Sequence, residues 1–172
     1  AVQIRLAVVG SVNHLDHKTL RSSYMPDKVK ILFVGESCPQ GGTFFYNGDS
    51  NLYKYTKQAF EQAEKEFSLD HFKRYGCWLY DVCDIPVNGL PHLERREQIR
   101  LGLPRLLATI KELSPKFIII VKKGDMREII YNKVCEHGYI DQETAYNVPF
   151  PACGRQTEYQ NELSAIIKKI IN

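Results

Sequence analysis

The chain has no apolar run long enough to span a bilayer. Its N-terminal stretch, AVQIRLAVVG, is apolar but short, and no small-residue cleavage site follows it, so a soluble cytoplasmic protein is expected. Cysteine is sparse: the five residues Cys38, Cys77, Cys83, Cys135 and Cys153 are odd in number and form no CxxC pair. That spacing gives weak support for a zinc or iron–sulfur site and makes reduced thiols the simplest state. Neither sign of charge dominates. The 23 basic and 20 acidic residues leave +3, too little by itself to argue for nucleic acid. No repeat, low-complexity tract or linker divides the sequence. The 172 residues are therefore expected to form one domain, 1–172, with 1–27 as an N-terminal extension packed on it.

The charge that is present is unevenly spread. Residues 95–127 hold Arg95, Arg96, Arg100, Arg105, Lys111, Lys116, Lys122, Lys123 and Arg127 against Glu97, Glu112 and Asp125. This is either a solvated helix face or a strip facing phosphates.

Periodicity gives the architecture. Residues 29–35 form a continuous apolar run, as a parallel strand covered on both faces requires. Residues 51–66 place Leu52, Tyr55, Ala59 and Ala63 at helical spacing behind a candidate N-cap, Ser50. A second strand is expected over 77–83, ending in a loop with two prolines. Residues 93–113 read as helical but interrupted at Pro104, which suits the first turn of a new helix. Residues 116–121 make the clearest strand. A helix over 125–136 capped by Asp125, a short strand over 144–149 and a final helix at about 156–171 follow. Strands alternating with helices predict a three-layer α/β/α sandwich around a mostly parallel four-stranded sheet.

The richest stretch runs from Ile31 to Tyr53. Its strand stops at Gly35 and releases Glu36, Ser37 and Cys38 into a loop, followed by a glycine pair and the aromatics Phe44, Phe45 and Tyr46. Open α/β sheets bind ligands at this end of their strands, and clustered rings suit stacking on a flat ligand. Cys38, at a strand–loop–helix position, is a candidate nucleophile, but no histidine partner stands nearby.

Taken together, GESCP at 35–39, FFYNGDSNLY at 44–53, WLYDVCDIPVNGLP at 78–91, PRLLATIKELSPKFIIIVKKG at 104–124 and VPFPACGRQTEYQNEL at 148–163 resemble the uracil-DNA glycosylase superfamily in order and spacing. The resemblance covers residues 29–171. It implies a glycosylase that flips a damaged or deaminated base of DNA into a pocket and hydrolyses its N-glycosidic bond, as a monomer without metal or organic cofactor. On this resemblance Glu36 and Ser37 are the catalytic positions that orient water, Ser37 standing where the best-known branch has an aspartate. Phe45 stacks on the base, Asp81 and Asn147 bind it, and Arg155 with Gly154 holds a DNA phosphate. An ionised aspartate offers only acceptors, so Asp81 in the place of the family's asparagine favours a guanine-like edge over uracil. The family's histidine has no counterpart, since no histidine lies between 138 and 172. Its loss would cost about two or three powers of ten in rate. The alternative is a catalytically altered member of the fold that binds a nucleobase, nucleotide or nucleic acid without cleaving it.

Overall fold

The computed structural model describes residues 17–137 and 141–172, so the apolar segment Ile4–Val9 lies outside the described residues. Residues 17–23 are helical and form α1. The order then runs β1 (Ile31–Gly35), α2 (Asn51–Gln62), α3 (Leu69–Arg74), β2 (Cys77–Asp81), α4 (His92–Leu113), β3 (Phe117–Val121), α5 (Asn132–Glu136), β4 (Ala145–Val148) and α6 (Gln156–Ile170). A 3₁₀ turn, Phe45–Asn47, precedes α2, and a π-helical segment, Met126–Tyr131, leads into α5.

The four strands pair in the order β2-β1-β3-β4, every pair parallel, and helices flank the sheet. This is the α/β architecture expected from the alternation of elements. All five residues of β1 are buried, as are Ile118 to Val121 of β3, because these central strands are covered on both faces. The chain leaves β1 toward β2 on one side, then crosses to β3 on the other. The order therefore reverses between β1 and β3, and a crevice opens there at the C-terminal ends of the strands.

The helices depart from the sequence expectation in three places. α4 runs unbroken through Pro104, where an interruption was expected. Pro104 lies on the exposed side of α4, and so does Arg100, whose carbonyl loses its helical donor; water can serve that carbonyl. The expected cap of the 125–136 helix is not formed. The Asp125 carboxylate instead faces Arg96 and His92, and the segment opens as a π-helix. α2 stops at Gln62 and the short α3 follows. Ser50 does cap α2, its hydroxyl accepting from the Tyr53 amide at 3.1 Å. α2 is tied to α6 by a buried hydrogen bond between Thr56 Oγ1 and the Tyr159 hydroxyl, 2.7 Å.

The outer edge of β2 is closed by a side chain. The Tyr46 hydroxyl accepts from the Leu79 amide at 2.7 Å and donates to the Leu79 carbonyl at 3.1 Å, so one phenol takes both backbone groups of an edge residue. Among the described residues, no helix is long and apolar enough to cross a membrane.

Candidate functional site

The crevice at the strand ends holds a cavity of about 310 Å³. Parallel register builds its floor. Gly35 at the end of β1 pairs with Asp81 at the end of β2, and Val121 of β3 lies on the other side of β1. Gly35, Glu36, Asp81, Val121 and Lys122 all reach the cavity wall. Phe44 and Phe45 line it from the loop after β1, and Phe150 from the loop after β4.

Glu36 leads out of β1 with its side chain only 9 % exposed. Arg95, from the first turns of α4, grips it in a two-pronged ion pair: Nε donates to Oε2 at 3.0 Å and Nη2 to Oε1. Lys122, one residue past β3, donates from Nζ to Oε1 at 3.0 Å and to Oε2 at 3.3 Å. One carboxylate is thus shared by two cations, and the cluster carries a net charge of +1. It lies where the strand order reverses, the place that favours an anionic part of a ligand.

The backbone that presents Lys122 is strained. Lys122 has φ +90°, a conformation that side chains with a Cβ rarely adopt. Neighbours hold it there. Its amide donates to the Val148 carbonyl at 2.7 Å, and Asn147 Nδ2 donates to the carbonyls of Ile120 and Lys122 at 3.0 and 2.9 Å. Asn147 is therefore placed behind the cavity wall as a clamp on the end of β3 and does not line the cavity.

A second charged cluster sits on the β2 side. Asp81, 9 % exposed, meets Arg21 of α1 with Nη2 to Oδ2 at 2.7 Å. Cys38 Sγ approaches the same oxygen at 3.5 Å and accepts from Arg21 Nη2 at 3.4 Å. Burial pushes the Asp81 carboxyl up from its ordinary range, and the Arg21 guanidinium pulls it back toward the ionised form. Burial, reinforced by Asp81, pushes the Cys38 thiol up to about 11. A thiol at that value is not a thiolate near neutral pH, which removes the support for Cys38 as a nucleophile.

The two phenylalanines are both buried, but differently used. Phe45 packs against Tyr46, Tyr53 and Phe72 in edge or tilted contacts. Phe44 has His17 stacked on its ring at 4.2 Å and the Arg21 guanidinium 5.7 Å from its centroid. Ser37 lines the cavity. Its Oγ accepts from the Val87 amide at 3.3 Å, which leaves the hydroxyl proton free to be directed at a ligand or a water.

Of the residues singled out in the sequence, the structure brings Glu36, Ser37, Phe45 and Asp81 to one cavity. Arg155 and Gly154 stand apart from it, at the start of α6, where Arg155 makes a two-pronged pair with Glu158. Five of the nine cations of the basic strip are answered by acids: Arg95 and Lys122 by Glu36, Arg96 by Asp125 and Glu128, Arg100 by Glu97, and Arg105 by Asp84. Among the described residues, no three His, Cys, Asp or Glu side chains are placed to hold a metal ion. Sequence reasoning did not reach Arg21, Phe150 or the pairing of Arg95 and Lys122 with Glu36. The one available signal for that pairing was a lone acid at the end of β1 with cations one residue past β3 and early in α4. No family model matches the chain, and no curated protein matches it.

Proposed function

We propose that this protein is a DNA base-excision glycosylase-like enzyme that holds a flipped nucleobase in the cavity at the strand ends and hydrolyses its N-glycosidic bond. The observation that carries this reading is the cavity itself. It has room for one planar ring, it has Phe44 and Phe45 on one wall, and it sets a buried acceptor, Asp81, opposite a net-positive cluster. In the reaction, a water oxygen bonds to C1′ as the bond from C1′ to the base nitrogen breaks. The electron pair leaves with the base, and a proton from the water ends on the base or in solvent. The Ser37 hydroxyl and the Glu36 carboxylate are the groups that orient the water. Lys122 and Arg95 supply the positive charge that favours a departing base anion, the task that a histidine performs in the superfamily this sequence resembles.

One observation favours a second reading, binding without cleavage. Both oxygens of Glu36 are engaged by cations, so its charge is already answered and does not stand ready for a cationic sugar.

An abasic-site assay separates the two. Oligonucleotides, single- and double-stranded, carry uracil, hypoxanthine, xanthine or oxidised guanine and are treated with alkali after incubation with the protein. Excision predicts cleavage at one of these bases, reduced about 10²- to 10³-fold by Lys122→Met and by Glu36→Gln. Retained oligonucleotide without any abasic site establishes the binding reading. Neither cleavage nor retention overturns both.

A further inference from the structure

We propose that Arg21 is a specificity-determining positioning residue: by occupying Oδ2 of Asp81 it leaves Oδ1 as a single acceptor facing the cavity, which selects nucleobases carrying a lactam N–H on the ring edge. This rests on the reading of the cavity as a nucleobase pocket.

The two oxygens of Asp81 have different surroundings. Oδ2 is held by Arg21 at 2.7 Å and by the Cys38 thiol at 3.5 Å, both on the side of α1. Oδ1 lies over the Cα of Gly35, where an added Cβ would meet it at 2.5 Å, and Gly35 and Asp81 both line the cavity. No described residue donates to Oδ1. Arg21 is itself fixed. Its carbonyl accepts from Trp78 Nε1 at 3.1 Å, and its guanidinium lies over Phe44. The carboxylate is thus locked against rotation by a partner that stands behind the cavity wall and does not itself line the cavity.

A lone ionised oxygen asks for one N–H. Guanine, hypoxanthine, uracil and thymine place a donor at that ring position, whereas adenine and cytosine place a lone pair there. With only Oδ1 available, the exocyclic amine of guanine gains no second bond to Asp81. Hypoxanthine and guanine are then equivalent ligands, in place of the two-donor guanine edge expected from the sequence.

The groups facing Asp81 are Arg21 from α1, Cys38 and Glu36 from the end of β1, and, further off, the Tyr46 phenol and the Cys83 thiol. Without Arg21, burial and Glu36 push the carboxyl toward its protonated form, opposed by the hydrogen bond from the Cys38 thiol. A protonated Asp81 donates and so accepts adenine.

The test is calorimetric titration of the full chain with dGMP, dIMP, dAMP and dCMP between pH 6 and pH 8. For the unaltered protein, dGMP and dIMP should bind within about threefold of each other and at least about tenfold tighter than dAMP or dCMP, with no trend in pH. Arg21→Met should weaken that preference, more at pH 6 than at pH 8, while Arg21→Lys keeps it. Asp81→Asn should remove the lactam preference at every pH and favour dAMP and dCMP, because Arg21 can only donate, holds the amide oxygen and turns the –NH2 to the ligand, and this variant decides the matter if Arg21→Met does not fold. A tenfold advantage of dGMP over dIMP, a pH-independent lactam preference in Arg21→Met, or a lactam preference surviving in Asp81→Asn would each overturn the assignment of Arg21 while leaving the pocket reading intact. Failure of the unaltered protein to bind any of the four overturns the nucleobase pocket and the inference with it.

Discussion

Lys122 combines two properties that pull in opposite directions: a backbone conformation that disfavours any Cβ and a side chain that completes the Glu36 cluster. Replacement separates them. Lys122→Gly and Lys122→Ala both lose the ion pair, but only alanine keeps the steric cost of φ +90°, so the glycine variant should be the more stable by roughly 1 kcal/mol in urea denaturation. Equal stabilities would mean that the clamp from Asn147 and Val148, and not the side chain, sets the local geometry. Such details explain what was legible at this scale. Glu36, Ser37 and Asp81 could be found from sequence because each sits at or just after the end of an apolar run, where parallel sheets put their sites, and Phe45 because it stands in a cluster of rings in the loop that follows. Arg21 could not. Its segment carries neither a period-2 nor a clean helical pattern, and its partner is 60 residues away. Asn147 stood in a plausible place, but its amide nitrogen is spent on two carbonyls that only the parallel β3–β4 register brings within reach.

Among the elements, the strands were the most readable, since a strand buried on both faces must be apolar throughout. The helices were less so. Pro104 is a strong local breaker, yet one missing hydrogen bond on an exposed face is outweighed by the packing of Ile99, Leu106 and Ile110 on the other side of α4. α3 spans only six residues, too few for periodicity to register, and its caps, not its pattern, define it: the Ser68 hydroxyl accepts from the His71 amide at 3.0 Å. α4 also carries Gly102, which lies against the end of β2. A Cβ there would run into the Val82 carbonyl oxygen. In an exposed helix, Gly→Ala stabilises by up to about 1 kcal/mol. At Gly102 the sign should reverse, and Gly102→Ala should destabilise by about 1–3 kcal/mol in chemical denaturation, because backbone, unlike a side-chain end, cannot move aside. The same shift would carry Arg95 away from Glu36, since both α4 residues ride on one rigid rod.

On the scale of the whole molecule, the site is a consequence of topology. Strand order 2-1-3-4 brings the ends of β1, β2 and β3 together, and each contributes one charged position to the crevice. The order can be anticipated from alternating elements only as a class. Which strand lies in the middle depends on crossovers that local sequence does not encode, and with it depends which side chains meet. The least anticipated part is α1. It reaches the sheet from outside the alternating pattern and fastens to β2 through Arg21, and the residue that follows it, Tyr24, stacks its ring on Tyr46 of the 3₁₀ turn.

The bond from Trp78 to the Arg21 carbonyl has a practical reach beyond structure. Trp78 is the chain's sole tryptophan, 9 % exposed, and α1 supplies the acceptor for its indole N–H. The protein therefore contains its own optical gauge of whether α1 is seated. Emission should be blue-shifted in the native state and move to longer wavelength when α1 lifts and water reaches the ring. Steady-state fluorescence on Arg21→Met would show that movement, whereas an unshifted spectrum would mean that α1 stays docked without its ion pair. No label has to be attached to follow the seating of a helix beside the cavity in real time.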